Sequence, residues 1–437
     1  MLDPKFVRDN PDIVRNELKK RGMKLDLDAL LEVDMERRKL IKELEGLRAG
    51  HKVASDEVRT MDELAREARI KELRTLKEHI AELEVQTNVT EKKFESLISQ
   101  LPNISMDEVP IGPDESGNVE IRKWGTIPTF DFTVLDHMEI GEKLNVIDTE
   151  RAVKVSGARF AYLKGKLAIL QFAIVQYAFR VLTDEAILSE IATQVGRECP
   201  ATPFIPVVPP VLIRPEAFAR MARLEPREER YHIPGDDLYL VGSAEHTLGS
   251  IHMDETLGEE SLPLRYVGYS TSFRREAGTY GKDTRGILRV HQFDKIEIES
   301  FTTKEDSVRE QDFIVAIQEY LVRSLGIPYR VVAICTGDMG TPDARQIDIE
   351  CWMPSQGCYR ETHTSDLNTD YQSRRLNTKV RRKKGTELVH MNDATVFAIG
   401  RTMIAIIENY QQADGSVVIP EILRPYCGFN DITHGTR

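Results

Sequence analysis

Apolar and polar positions along the chain change period once, and that change divides it. From Leu30 the apolar side chains recur at heptad spacing, Leu30, Val33, Leu40, Leu44 and Leu47, with Arg37 in one core slot, weakening at Gly50 and His51 before Ala54 and Val58. A second, cleaner series runs Leu73, Leu76, Ile80, Leu83, Thr87, Thr90, Phe94, Leu97, Leu101. Two such stripes joined near Arg59–Leu64 predict an antiparallel coiled-coil helical hairpin, with roughly thirty residues per arm and a length of about 45 Å. A helix from Asp3 to Arg21, stopped by Gly22, is expected before it. Pro102 ends the second arm, and residues 102–126, rich in Pro, Gly and acid, read as an interdomain linker.

Beyond the linker the pattern mixes periods. Tyr266–Ser272 and Ile287–Phe301 alternate as strands around a Gly- and charge-rich loop, Glu276–Gly286, and Tyr329–Ile334 and Gln346–Glu350 read as further strands. Lys166–Ile191 and Asp312–Leu325 read as helices, and the segment ATPFIPVVPPVLIRPEAF as a strand flanked by prolines, suited to a sheet edge. The expected fold is α+β: a helical hairpin over 1–101, the linker, and a domain of sheet and helices over 127–437.

With 437 residues and 41% hydrophobic content the chain can bury a large core. The net charge of −12 gives no overall signature of a polyanion binder, so nucleic acid would have to meet local basic surface. Residues 1–101 hold 21 Lys/Arg against 22 Asp/Glu, leaving nearly all the net negative charge to the remainder. Lys39, Lys42, Arg48, Lys52 and Arg59 on the hairpin, and the basic run Lys379–Lys384, are candidate phosphate contacts. The five cysteines are scattered without CxxC pairs, which argues against a zinc site or a disulfide framework and fits a reducing cytoplasm. The apolar run Leu167–Leu182 is too short and too polar to span a bilayer, and no membrane association is expected.

Candidate chemistry concentrates on the hairpin around residue 280. Alternation brings Arg274, Glu276, Arg289, Phe293 and Glu297 near one another. Guanidiniums grip phosphate, a ring stacks on a base, and carboxylates accept from amino groups, so the set suits a nucleotide and an amino acid.

The string FRREAGTYGKDTRGILRVHQFDKIE, with Phe273-Arg274-x-Glu276 and Arg289-x-x-x-Phe293, resembles motif 2 of class II aminoacyl-tRNA synthetases, closely so in the version carried by seryl-tRNA synthetases. The Pro209-Pro210 segment resembles motif 1, a dimer-interface element, and Gly400-Arg401-Thr402 before MIAIIENYQ resembles motif 3. Ser243-Ala244-Glu245 stands where the family has Thr-Ala-Glu, and Glu361-Thr362-His363-Thr364 where it has Glu-x-Ser-Ser. Asp393-Ala394-Thr395-Val396 replaces the family's Asn-Gly-Ser-Gly, which implies a differently shaped backbone where both glycines are lost. His246, also a departure, is read as a surface histidine.

The resemblance implies an antiparallel sheet flanked by helices, a homodimer, L-serine, ATP and Mg²⁺, and a tRNA gripped by the helical arm: tRNA(Ser), with tRNA(Sec) as a second candidate. It implies an α-phosphate contact at Arg274 and a γ-phosphate contact at Arg401, with Arg275, Glu276, Arg289, Val290, Phe293, Glu361, Thr362, His363 and Thr364 around ATP. Within that set Phe293 stacks on adenine, Glu276 accepts from its amino group, and Glu361 with Thr364 holds the metal. Serine falls to Ser243, Ala244, Glu245, Arg274, Glu297 and Thr395. Carrier-loading relatives lack such an arm, so a transferase acting on a carrier protein is disfavoured.

Overall fold

The computed structural model describes residues 1–195, 199–277 and 286–434. Two compact units divide at Pro102/Asn103. The expected first helix is two, Pro4–Asp9 and Pro11–Lys20, because Pro11 has no N–H to continue the ladder and instead opens a new helix. Helices α1 (Leu27–Glu57) and α2 (Glu63–Ile98) follow, each capped by an aspartate carboxylate, Asp26 and Asp62, that accepts from a backbone N–H one turn in. Leu44, Ile80 and Leu83 form the seam between them, flanked by Leu40, Leu47 and Leu76. Helix α1 continues unbroken through Gly50 and His51. Arg37, read as a core slot, lies over the Phe94 ring at 4.3 Å and reaches Glu91 at 3.0 Å, so its stem packs while its charge is met at the rim. Arg48 pairs with Glu84 at 2.7 Å, whereas Lys39, Lys42 and Lys52 are exposed.

The second unit is built on one eight-stranded sheet. In chain order its strands are β1 (Val119–Trp124), β2 (Ile205–Val207), β3 (Leu264–Phe273), β4 (Gln292–Thr302), β5 (Tyr329–Ala333), β6 (Arg345–Met353), β7 (Cys358–Thr369) and β8 (His390–Ala398). Their spatial order is β1-β5-β6-β7-β8-β4-β3-β2, antiparallel throughout except that β2 joins β3 in parallel at the edge. The segment expected as a linker belongs to this unit. Asn103, itself buried, donates its amide to the carbonyls of Pro342 and Asn368 at 2.8 and 2.9 Å, as polar groups shut away from water require, and the exposed strand β1 pairs with β5.

Helices α3 (Lys166–Leu182), α4 (Ser307–Ser324) and α5 (Ile399–Asn409) share the main apolar core with the sheet, through residues such as Ile174, Phe313, Ile317, Met403 and Ile406. The expected helix over 166–191 is broken after Leu182, where Asp184 caps a second helix, Glu185–Gln194, bent 73° from the first. Among the described residues no single helix is long and apolar enough to cross a membrane, and α3 is a core helix with Leu167, Leu170, Ala173 and Ile174 fully buried. Alternation along the strands sorts the two faces: Ile296, Ile298, Ala394 and Val396 meet the helices, and Glu297, Glu299, Asp393 and Thr395 face the other way.

One buried ion pair ties the sheet to α4. Arg265 on β3 is bound by both oxygens of Glu310 at 2.6 and 2.7 Å, donates to the carbonyls of Pro200 and Thr202, and lies between the rings of Phe204 and Phe313. Removing one partner of such a pair leaves an uncompensated charge, so Glu310→Ala is expected to lower the unfolding free energy by about 3–5 kcal/mol, read by urea denaturation. A loss below about 1 kcal/mol, the scale of one ordinary hydrogen bond, would mean that the two carbonyls and the rings hold Arg265 unaided.

Candidate active site

The face of the sheet opposite the helices floors a cavity of about 540 Å³. Two bulges shape that floor. Along β7 and β6, Glu361 pairs with Glu350 and His363 with Ile349, which leaves Thr362 as an extra residue. Along β8 and β4, Thr395 pairs with Glu297 and Phe397 with Ile296, which leaves Val396 extra. A bulge breaks the period of two, so Glu361 and Thr364 line the cavity together while Thr362 and His363 between them are buried elsewhere. Where β7 and β8 part beyond Ser365 and Ala394, the Gln318 amide of α4 donates to the carbonyls of both Thr364 and Thr395, at 2.9 and 2.8 Å. One side chain thus satisfies the backbone that the divergence leaves open.

Most residues singled out by the sequence converge here: Glu245, Arg274, Glu276, Arg289, Val290, Phe293, Glu297, Glu361, Thr364, Thr395 and Arg401 all line the cavity. At one end Arg289 pairs with Glu276 at 2.7 Å, and the Arg274 guanidinium stands 5.3 Å above the Phe293 ring while donating to Gly242 O at 3.1 Å. Arg401 binds Glu361 twice, at its carboxylate (3.0 Å) and its carbonyl (2.9 Å). In the middle Glu297, 2% exposed, accepts from Ser243 Oγ at 2.9 Å, from Thr395 Oγ1 at 3.4 Å and from the Lys295 ammonium.

Six residues stand elsewhere than expected. Ser243 is buried behind Glu297 and positions it instead of lining the cavity, because its hydroxyl already has the carboxylate as acceptor. Ala244 packs in a small core with Met221 and Leu248. Arg275 is exposed and outside the cavity, with its N–H donating to Glu229 O. Thr362 and His363 are displaced by the bulge. Thr362 donates to Ile349 O, while His363 bonds Thr362 and meets the Phe397 ring edge, and burial pushes its imidazole down to about 3. His246 is no surface residue: it is 3% exposed, accepts from Gly242 N–H at 3.2 Å and packs on Phe218 at 4.5 Å, with burial holding it neutral well below the usual histidine range. The loop read over Glu276–Gly286 lies outside the described residues across 278–285. Neither Ala394 nor Val396 adopts a positive φ, so the replaced glycines are not required for backbone reasons, and both side chains fill the helix-facing core.

Sequence reading missed Lys295, Arg223 and Asp366, which also line the cavity. Lys295 was findable, two residues before Glu297 on the same strand. Asp366 was equally findable, two residues beyond Thr364 on the same face of β7 and past the bulge. Arg223 has no sequence signal; it lies just beyond a short helix, Pro215–Arg220, outside every motif. Against burial, which would raise it, the Arg223 guanidinium at 2.6 Å holds the Glu245 carboxyl down at about 2.

The donor set can be tested for a divalent cation. Glu361 and Thr364 offer oxygen ligands, and Thr364 Oγ1 donates to Asp348 Oδ1 at 3.0 Å. Burial and the neighbouring Glu361 carboxylate push Asp348 well above the carboxylate range. Among the described residues no three acidic, His or Cys side chains converge as a cage, which suits an ion that draws its remaining oxygens from phosphates.

Comparison with known proteins places this geometry. Residues 1–105 match the seryl-tRNA synthetase N-terminal domain, and residues 229–410 the tRNA synthetase class II core domain (G, H, P, S and T). The chain is 42% identical to a serine--tRNA ligase of Thermodesulfovibrio yellowstonii over 99% of its own length and 100% of that protein's. A serine--tRNA ligase of Dictyoglomus turgidum is 41% identical over 99% of each chain. Among solved structures, seryl-tRNA synthetase from Pyrococcus horikoshii complexed with ATP superposes with a TM-score of 0.86 at 36% identity, covering 99% of this chain and all of that one. The cytoplasmic serine-tRNA ligase of Naegleria fowleri in complex with AMP superposes at 0.80, with 31% identity over 98% and 96% of the two chains. With a helical hairpin, a class II core and full-length relatives that agree, the chain belongs to the serine–tRNA ligase family.

Proposed function

We propose that the cavity activates L-serine with ATP and that the activated serine is then passed to the 3′ end of tRNA(Ser). The observation that carries this is the set of groups sharing one cavity: Phe293 with Arg274 and Arg289, Arg401 paired with Glu361, and the carboxylate of Glu297 four residues along β4 from Phe293. Adenine stacks on Phe293 beside Val290, with Arg401 over its other face, and its amino group donates to Glu276, which Arg289 holds in place. Arg274, oriented by Gly242 O, meets the α-phosphate, and Arg401 the γ-phosphate. Glu297 receives the serine ammonium, and Thr395 meets the serine hydroxyl.

A serine carboxylate is already ionised at neutral pH, so the first step needs no general base. Its oxygen attacks the α-phosphorus, the bond from that phosphorus to the bridging oxygen breaks, and the electron pair leaves with pyrophosphate. Charge grows on the α-phosphate oxygens during the attack, which is where the Arg274 guanidinium stands. In the second step a ribose hydroxyl of the terminal nucleotide attacks the seryl carbonyl and AMP departs. Glu361 and Thr364 would hold Mg²⁺, which when bound neutralises phosphate charge.

The helical arm serves tRNA, through the exposed Lys39, Lys42 and Lys52, and the same grip extends the candidate partners to tRNA(Sec). Edge strand β2, followed by Val208 at 91% exposure, is the natural seam of a homodimer. Five free cysteines are consistent with a cytoplasmic setting.

Arg274→Ala is expected to lower serine-dependent ATP–pyrophosphate exchange by about 10²–10³-fold without changing the melting temperature. Exchange near the parent level would remove the α-phosphate role. Replacing Leu27–Leu101 by a short Gly/Ser join should preserve exchange while tRNA charging falls to background; a parallel fall of both would make the arm a stability element. Thr395→Ala should raise the KM for serine by about tenfold or more, equivalent to the roughly 1–3 kcal/mol of an unpaired buried hydroxyl, with the KM for ATP unchanged. An unchanged serine KM with a lower melting temperature would assign Thr395 to packing alone.

A further inference from the structure

Beyond the Glu297–Thr395 pair the same sheet face carries a second, acidic row, Glu299, Asp393 and Asp366, of which Asp366 and Asp393 line the cavity. Glu299 lies directly opposite Asp393, and Asp393 directly opposite Asp366, across three adjacent antiparallel strands. Like charges in register on one face repel, and a packing face would carry neutral residues there. All three side chains are more than nine-tenths buried. Arg223 is the cation that faces the row, but its Nε is committed to Glu245 at 2.6 Å. Its Nη2 stands 3.6 Å from Asp393 and 3.7 Å from both Asp366 and Asp343, beyond hydrogen-bond reach.

Acceptor atoms are therefore left over. Asp366 lines the cavity, yet its Oδ1 is buried with no hydrogen-bond partner, and both oxygens of Glu299 are in the same condition. Buried carboxylates without donors are uncommon in folded proteins and concentrate where a ligand completes them. Burial and the neighbouring acids push Asp393 and Glu299 well above the carboxylate range, the response of groups lacking a countercharge. An ammonium supplies what is missing: one positive charge and three N–H donors in a compact head.

The geometry also sets the reach. Rows two residues apart on a strand are separated by about 7 Å, of which a hydrogen bond spans about 3 Å. A ligand whose α-ammonium and carboxylate sit as those of serine must then extend its second amine a few ångströms past the position of the serine hydroxyl, roughly one or two bonds more.

We propose that this row is a side-chain subsite, and that the cavity also activates short α,ω-diamino acids whose terminal ammonium is received by Asp366 and Asp393. The inference rests on the reading of the cavity as an amino-acid-activating site. The chemistry is the adenylation already described: the ligand's carboxylate oxygen bonds to the α-phosphorus of ATP, pyrophosphate leaves with the electron pair, and the terminal ammonium takes no part.

ATP–pyrophosphate exchange with the full chain tests it, using L-serine, L-2,4-diaminobutyrate, L-ornithine, L-alanine and L-homoserine, the last matching diaminobutyrate in length without the charge. The expected result is a kcat/KM for diaminobutyrate or ornithine at least tenfold above homoserine. In Asp366→Asn, with Asp393→Asn as a second variant should the first fail to fold, the ratio of diamino-acid to serine kcat/KM should fall at least tenfold. Neutralising one acid of a repelling row should leave the melting temperature unchanged or raise it. Exchange with serine alone, the diamino acids remaining at the alanine level, would overturn the subsite and leave the serine reading standing. No exchange with serine either would bring down both. An unchanged ratio with a lowered melting temperature would reduce the row to a seat for Arg223 and overturn the proposal.

Discussion

Because helices α3, α4 and α5 cover one face of the eight-stranded sheet, residues of its central strands that alternate away from them line the cavity, stand against Arg223 or, like Phe301 and Met391, enter a second small core. The helix-covered face is conventional, with Ile296, Ile298, Ala394 and Val396 fully or almost fully buried. The opposite face of the same four-residue stretches carries Glu297, Glu299, Asp393 and Thr395. The helices thus supply the rigidity, through packing and through Arg265–Glu310, that lets the uncovered face hold charged groups in fixed register. Gln318 is the most direct link between the two sides, since one amide in the helix layer holds the backbone of Thr364 and Thr395, whose side chains both line the cavity.

The carboxylates on that face differ in state because their partners differ. Glu245 has a guanidinium at hydrogen-bond distance and stays ionised, whereas Asp366 and Asp393 see the same guanidinium from farther off and are driven toward the neutral form. Glu297 has two hydroxyl donors and an ammonium beside it. Charge on this side of the sheet is thus set group by group, by how near the closest cation stands.

Much of the fold could be read from the chain. Heptads over Leu30–Leu47 and Leu73–Leu101 gave the hairpin, and alternation over Tyr266–Ser272 and 292–301 gave the central strand pair. The cavity residues Arg274, Glu276, Arg289, Phe293, Glu297, Glu361 and Arg401 followed from a resemblance in which spacing carries the geometry. What stayed hidden has specific causes. A bulge inserts one residue without any compositional mark, so Thr362 and His363 could not be separated from Glu361 and Thr364. Residues 103–126 have the composition of a linker, and only the long-range partners of Asn103 and strand β1 reveal them as part of the sheet unit. His246 looked exposed because burial of a histidine depends on neighbours, here Phe218 and Gly242, that no local pattern specifies. Arg223 acts entirely through tertiary contacts.

A cavity floored by this sheet and an arm built from this hairpin belong to one serine–tRNA ligase. The most direct measurement is charging of a tRNA(Ser) transcript by the purified protein with ATP and labelled L-serine, followed by recovery of the acid-precipitable, base-labile ester. Serine is expected to be esterified to the 3′ end in near-stoichiometric amount, dependent on ATP, with alanine giving no product. Serine-dependent pyrophosphate exchange without any ester on tRNA(Ser) would contradict it, because the activated serine would then have a different acceptor.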